Sequence, residues 1–141
     1  MDKKTLAINN FKGGLNCAQA VACAFADEMN LDEQTVKELV IGFGGGFARQ
    51  RLICGAVSAM AMVISKVKSN GNDKMEIYKL IQLACAEFKE EVGSIICGEL
   101  LGEVNAPITH VPEERTEKYY QKRPCAELCG LAAEITEKYI K

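Results

Sequence analysis

Apolar residues recur at helical spacing along most of the chain, most clearly in the stretch that follows Asp73. A stripe of seven such residues predicts a helix from this cap to about Val92, where Gly93 ends it. No stretch alternates between apolar and polar residues as a half-buried strand does. The pattern therefore predicts an all-α fold. The stripe consists of Ile77, Tyr78, Ile81, Ala84, Cys85, Phe88 and Val92.

Capping signals place the next helices. Asn16, followed three residues later by Gln19, is typical of a capping box. The almost wholly apolar segment after it predicts a buried helix that runs to about Met29. Residues 30–33 cap a further helix that ends near Ile41. We expect the inner stripe of that helix to be Val36, Leu39 and Val40.

The remaining segments complete a compact bundle of about five to seven helices. We expect a helical turn or two within residues 113–122 and a Pro-containing loop over residues 103–112. At 141 residues, the chain is predicted to form a single helical domain over residues 1–141. The other predicted helices cover residues 2–11, 54–67, 94–102 with Ser94 as the cap, and 124–140 with Pro124 at the first position.

Composition narrows the class of protein. Hydrophobic residues make up 48% of the chain and the net charge is −2, which favours a globular fold. The absence of a basic block argues against nucleic-acid binding, and no apolar run reaches the length of a membrane span. Because no apolar segment follows the N-terminal lysines, we expect no signal peptide and a cytoplasmic location.

A glycine-rich turn precedes the most reactive-looking part of the chain. Four of the five residues in 42–46 are glycine, which predicts a backbone with positive φ or a close approach to another group. The Gly-Lys-Ser/Thr ending of a phosphate loop is missing. Two arginines follow, which either bind an anion or are simply solvated. The candidate cofactor-binding residues are Gly44, Gly45, Gly46, Arg49 and Arg51.

Seven cysteines are many for this length, and an odd number fits a disulfide framework poorly. Four of them fall at or near predicted helix starts, where the helix dipole favours a thiolate. We therefore expect a lowered pKa at these positions, with Cys54 the best nucleophile because Arg49 and Arg51 are near it in sequence. We call these four the helix-start cysteines: Cys17, Cys54, Cys97 and Cys125.

The other three cysteines are predicted in helix interiors. Cys23 and Cys85 are best explained as core residues. Cys129 lies four residues after Cys125, so the two sulfurs share a helix face and could ligate a metal together. The single histidine, His110, lies in a Pro-flanked loop, which favours a surface role.

The sequence resembles the C_GCAxxG_C_C family of redox-active proteins from about Phe11 to Tyr139. The residues that carry the resemblance are the helix-start cysteines and the segment Cys-Gly-Ala-Val-Ser-Ala at 54–59, with Ala59 where the family motif has glycine. The resemblance implies a redox role. It also raises haem or another metal cofactor, although the chain has no Cys-x-x-Cys-His sequence for covalent haem.

Three functions remain open at this point. A thiol oxidoreductase would use one helix-start cysteine to attack a disulfide and a second to resolve the mixed disulfide. It would also need a redox partner that the sequence does not name. A metal-binding protein would use the same four sulfurs for a metal ion or an iron–sulfur cluster. A helical interaction module would use the cysteines only for packing. A homodimer is compatible with all three.

Overall fold

The computed structural model describes residues 1–102 and 107–141. Within these ranges the protein is all-α, which confirms the predicted fold class, with eight helices rather than about five to seven. The helices are α1 (Lys3–Lys12), α2 (Cys17–Cys23), α3 (Glu33–Val40), α4 (Gly55–Lys68), α5 (Lys74–Val92), α6 (Cys97–Leu101), α7 (Glu117–Lys122) and α8 (Cys125–Ile140), with a 3₁₀ turn at Ile41–Phe43.

Helices α2, α4 and α8 pack against one another at the centre of the bundle. Helix α1 lies along α8, and α5 packs against α4 and α8. The interior is filled by large apolar side chains, of which Phe25, Phe88, Met60 and Ile64 are fully buried. Burying each such side chain stabilises the fold by about 1.5–3 kcal/mol. This core holds the N-termini of α2, α4 and α8 in fixed positions.

Several helix starts follow the predicted capping chemistry. The Asn16 side chain accepts from the backbone N–H of Gln19 and the Gln19 side chain accepts from that of Asn16, which confirms the capping box. Asp73 caps α5, and Gly93 ends it with φ +94°. Pro124 is the N-cap of α8, one residue before the first helical position at which it was predicted.

Helix α2 ends at Cys23, six residues before the predicted end. From Ala24 onward the backbone forms tight turns, with the N–H of Ala24 on Val21 O and that of Phe25 on Ala22 O. Asn30, at φ +57°, closes this segment. The turns bring Phe25 into the core, where its side chain is fully buried. Tertiary packing therefore overrides the helical propensity of the segment.

Other boundaries and faces also differ from the predictions. Helix α6 begins at Cys97, and the Ser94 hydroxyl instead accepts from the N–H of Ile96. Leu39 is 63% exposed and Tyr78 is 60% exposed, so neither belongs to the inner stripe of its helix. Residues 103–106 of the predicted loop lie outside the described residues, and the remainder, 107–112, is non-helical.

None of the described helices combines the length and the apolar character that crossing a membrane requires.

Candidate functional site

The helix-start cysteines come from four different helices and line one cavity of about 730 Å³. Cys17, Cys97 and Cys125 are the first residues of α2, α6 and α8, and Cys54 is the N-cap of α4. Their predicted location at helix starts is therefore confirmed. The tertiary structure adds that these four starts open onto a shared space, which we call the cysteine cavity.

Gly55 allows the α4 start to lie against Cys17. A Cβ atom at Gly55 would lie 2.5 Å from Cys17 Sγ and 2.7 Å from the carbonyl oxygen of Phe43, distances that no real Cβ tolerates. Burial raises the pKa of the Cys17 thiol, while hydrogen bonds from the backbone of Gly45, Ala18 and Gly55 act in the opposite direction. Gly45 of the glycine-rich turn thus supplies one of the hydrogen bonds to this sulfur.

The backbone after Gly44 runs through a nearly unbroken left-handed stretch, as the run of glycines predicted in part. Several backbone hydrogen bonds hold it, among them those from Ala48 N to Gly42 O at 2.7 Å and from Leu52 N to Gly46 O at 2.9 Å. Each non-glycine residue in this conformation costs about 1–2 kcal/mol. Such strain is concentrated at functional sites. The residues with positive φ here are Gly45, Gly46, Phe47, Ala48, Arg49 and Arg51.

A single antiparallel bridge between Ile53 and Ile96 ties Cys54 to Cys97. The N–H of Cys54 donates to Ile95 O at 2.8 Å, and the N–H of Cys97 donates to Leu52 O at 2.6 Å. The starts of α4 and α6 therefore lie side by side at the cavity wall. This contact joins two segments that are more than forty residues apart in sequence.

The expected lowering of the thiol pKa is wrong for three of the helix-start cysteines. Burial raises the pKa of Cys54 and of Cys17, and it raises the pKa of Cys125 to about 12. Loss of water around the sulfur outweighs the favourable helix terminus. The neighbouring Cys17 sulfur is a further cause at both Cys54 and Cys125, because two like charges would lie close together.

The predicted pairing of Cys54 with an arginine is also wrong. Arg51 donates from Nη1 to the sulfur of Cys97 across 3.9 Å. Gly46 permits this arrangement, because a Cβ there would lie 2.6 Å from Cys97 Cβ. Among the helix-start cysteines of the described structure, Cys97 is thus the one whose sulfur accepts from a cationic side chain.

Arg49 and Arg51 also tie the left-handed stretch to a later loop. Arg49 donates to the carbonyl oxygens of Thr109, at 3.0 Å, and Val111. Arg51 donates from Nη2 to the carbonyl oxygen of Pro107 at 3.2 Å. These contacts place the loop over 107–112 beside the cysteine cavity, which His110 and Pro112 help to line. His110 is exposed, as expected, but it also borders the cavity.

Two further arginines reach the cavity from the segment before α8. Arg115 donates to Phe11 O at 2.6 Å and to Leu15 O at 2.8 Å. Arg123 pairs with Glu113, with Nη2 to Oε1 at 2.6 Å. Sequence reasoning missed both arginines, because they stand alone in charged segments with no motif around them.

The other cysteines occupy different environments. Cys129 is fully buried on α8 and donates weakly from Sγ to Cys17 O at 3.8 Å, beneath the cavity. Cys23 is the last residue of α2 rather than an interior one. Cys85 is half-buried on α5. None of these three lines the cavity as described.

The predicted metal site finds no support from local geometry. Within residues 1–102 and 107–141, no three His, Cys, Asp or Glu side chains are arranged to hold a metal ion.

Comparison with known proteins assigns the chain to a family. Residues 15–139 match the family model described as "Putative redox-active protein (C_GCAxxG_C_C)", so the chain belongs to this family. It is also 31% identical over 138 residues to an "Uncharacterized protein" of Archaeoglobus fulgidus, covering 89% of this chain and 85% of that protein. No solved structure matches the chain.

Proposed function

We propose that this protein is a thiol oxidoreductase that exchanges thiols and disulfides within the cysteine cavity. The observation that supports this most directly is that four cysteines from four helices line one cavity. The family's redox description is consistent with it.

Cys97 is the proposed attacking thiol. Arg51 beside its sulfur stabilises negative charge there, and a thiolate is the form that attacks a disulfide. Cys17 is the proposed resolving thiol. It is close enough that charge on Cys97 raises the pKa of Cys17, after the larger effect of burial. Cys54 and Cys125 provide further thiols that border the same space.

Reaction with a neutral organic disulfide tests this function. Reduced protein is mixed without oxygen with one equivalent of 4,4′-dithiodipyridine, and released thiopyridone is followed by absorbance. We expect two thiopyridones per chain and one internal disulfide between Cys97 and Cys17, identified by peptide mass spectrometry. Cys97→Ser should abolish the fast phase, whereas Cys85→Ser, outside the cavity, should leave it unchanged. Fast release that survives Cys97→Ser would contradict the assignment.

A second candidate is an iron–sulfur cluster bound by the same four sulfurs. Four cysteine ligands are the number that common clusters use, and the helix-start cysteines supply that number around one cavity. Among the described residues, no three potential ligand side chains are arranged to hold a lone metal ion. When bound, a cluster would supply one-electron transfer. Elemental analysis of protein purified without oxygen separates the candidates, because stoichiometric iron and sulfide favour the cluster and their absence favours the thiols.

A further inference from the structure

All four arginines of the chain line the cysteine cavity: Arg49, Arg51, Arg115 and Arg123. No lysine is among the described residues that line it, although lysine is the more common cation in this sequence. Arginine differs from lysine in its planar guanidinium, which matches carboxylate and phosphate groups with paired hydrogen bonds. The presence of all four arginines and of no described lysine at the cavity therefore indicates that the cavity recognises an anion.

Most of this positive charge is not neutralised within the described structure. Arg49 and Arg115 donate to uncharged carbonyl oxygens, and Arg51 donates to a carbonyl oxygen and a sulfur. These bonds orient the guanidinium groups but leave their charges in place. Among the described lining residues, Glu113 supplies the one carboxylate, and it pairs with Arg123. The lining thus carries a net positive charge in a protein whose net charge is −2.

The guanidinium groups are also held in fixed planes. Arg115 stacks over Phe11, with Cζ 4.3 Å from the ring centroid, and lies 5.6 Å from that of Tyr119. Arg51 Nε is buried without a partner among the described residues. A buried donor of this kind is costly to leave unpaired, and an anionic oxygen would satisfy it.

The cavity has the size of an organic ligand site. Its volume of about 730 Å³ lies within the roughly 300–1,000 Å³ typical of small-molecule pockets. Phe11, Leu100 and Tyr119 add apolar surface to the lining. A pair of thiols alone needs far less space, so the dimensions favour a substrate that enters the cavity.

We infer that the cysteine cavity binds a small organic disulfide that carries acidic groups. The arginines bind its anionic ends, and the cysteines react with its sulfur–sulfur bond. The inference rests on the proposed function and names its substrate class. The Cys97 thiolate bonds to one substrate sulfur, and the substrate disulfide breaks to release one acidic thiolate. Cys17 then attacks the Cys97 sulfur and releases the second. The protein loses two electrons, the substrate gains them, and the two cysteine protons complete the two product thiols.

A matched pair of disulfides tests the inference. The dianion 3,3′-dithiodipropionate and its neutral diamide differ mainly in charge. Second-order rate constants with reduced protein are each divided by those for 2-mercaptoethanol, an uncharged thiol, which corrects for intrinsic reactivity. We expect the protein to favour the dianion by about tenfold at low salt, through electrostatic attraction that salt weakens.

Two arginine variants locate the effect. Arg49→Gln and Arg115→Gln should each lower the ratio of the dianion rate to the diamide rate at least about threefold. Arg115 also donates hydrogen bonds to Phe11 O and Leu15 O. If Arg115→Gln does not fold for that reason, Arg115→Lys is measured in its place, because it keeps the charge. Lys79→Gln on the exposed side of α5 is the control and should preserve the preference.

The outcomes separate the inference from the proposed function. Equal normalised rates for the two disulfides, with exchange intact, overturn the anion inference alone. No reaction with either disulfide overturns the exchange function. In that case, calorimetric binding of the dianion to the reduced protein decides the inference independently: binding that Arg49→Gln abolishes supports an anion site, and no binding overturns it.

Discussion

The guanidinium of Arg51 donates from Nη1 to the sulfur of Cys97 across 3.9 Å. The two residues are 46 positions apart, and the contact depends on the left-handed backbone at Arg51 and on the absence of a side chain at Gly46. It gives Cys97 a cationic neighbour inside a cavity where burial raises the pKa of the Cys17, Cys54 and Cys125 thiols.

Replacing Arg51 should slow the chemistry of Cys97 specifically. We expect Arg51→Gln to reduce the rate of Cys97 alkylation by neutral iodoacetamide by roughly three- to tenfold, because the sulfur loses its cationic donor. Per-residue labelling by mass spectrometry measures the effect. Arg49→Gln is the control, since Arg49 donates to carbonyl oxygens instead. Equal slowing in both variants would show that the contact with sulfur is not the cause.

Gly55 should resist the addition of a single methyl group. In Gly55→Ala the new Cβ meets Cys17 Sγ and Phe43 O, so we expect a loss of about 2–3 kcal/mol in the free energy of unfolding. The accessibility of Cys17 to alkylation should change as the sulfur is displaced. Gly42→Ala is the matched control from the same turn, because a Cβ there has nothing within 4 Å. Similar denaturation midpoints for both variants would contradict the packing described.

The protein should lose stability in alkaline solution because of its buried thiols. Unfolded, Cys54 and Cys125 ionise near the ordinary pKa of 9.0, whereas burial raises the pKa of both in the folded state. Their contribution is fully present below pH 9 and falls as the pH rises above it, since unfolding then releases protons. The slope is about 1.4 kcal/mol per pH unit for each thiol.

Removing those two thiols should flatten the alkaline decline. In the Cys54→Ala, Cys125→Ala double variant, the slope of unfolding free energy against pH should be shallower by about 2–3 kcal/mol per unit above pH 9. Reversible urea unfolding under reducing conditions measures it. Titration of surface lysines is common to both proteins and cancels. Parallel curves for the two proteins would mean that these thiols titrate normally.

Asn16 should contribute both to helix capping and to the cavity. Its side chain accepts from Gln19 N at 2.9 Å and donates from Nδ2 to Ile41 O at 2.9 Å. Asn16→Ala should cost about 1–2 kcal/mol by removing the cap, and Asn16→Asp less, because it can still accept. Urea denaturation measures the loss.

A substitution at a second helix cap distinguishes a general loss of stability from an effect on the cysteine cavity. Asp32→Ala removes the N-cap of α3, which lies outside the cavity, and should cost a similar amount. Only Asn16→Ala should also change the alkylation rate of Cys17, which follows it directly. If both variants altered that rate equally, general destabilisation would be the explanation.

Local sequence determined most of the helices and the positions of the four cysteines on them. Caps such as Asn16, Asp32 and Asp73 act through neighbours three residues away, so their effect can be read directly from the chain. The placement of Cys97 at the start of α6 followed from the same local signals, although the cap itself was misassigned to Ser94.

Faces and ends that depend on packing were predicted less well. Leu39 and Tyr78 have apolar or mixed side chains at helical spacing, yet both are exposed in the described part of the structure. Helix α2 ends earlier than predicted because the burial of Phe25 in the core outweighs the local helical propensity. The period of the hydrophobic pattern indicates which residues can share a helix face, but only tertiary packing decides whether that face is covered.

The sequence by itself thus determined an all-α protein with thiols at helix starts. Tertiary structure decided that these thiols line one cavity and that Arg51 contacts Cys97 rather than Cys54. It also decided that Arg115 and Arg123 line the same cavity. It also reversed the expected pKa shifts of three of the thiols. The dipole that favours a thiolate is local, whereas the loss of water that opposes it comes from chain segments distant in sequence.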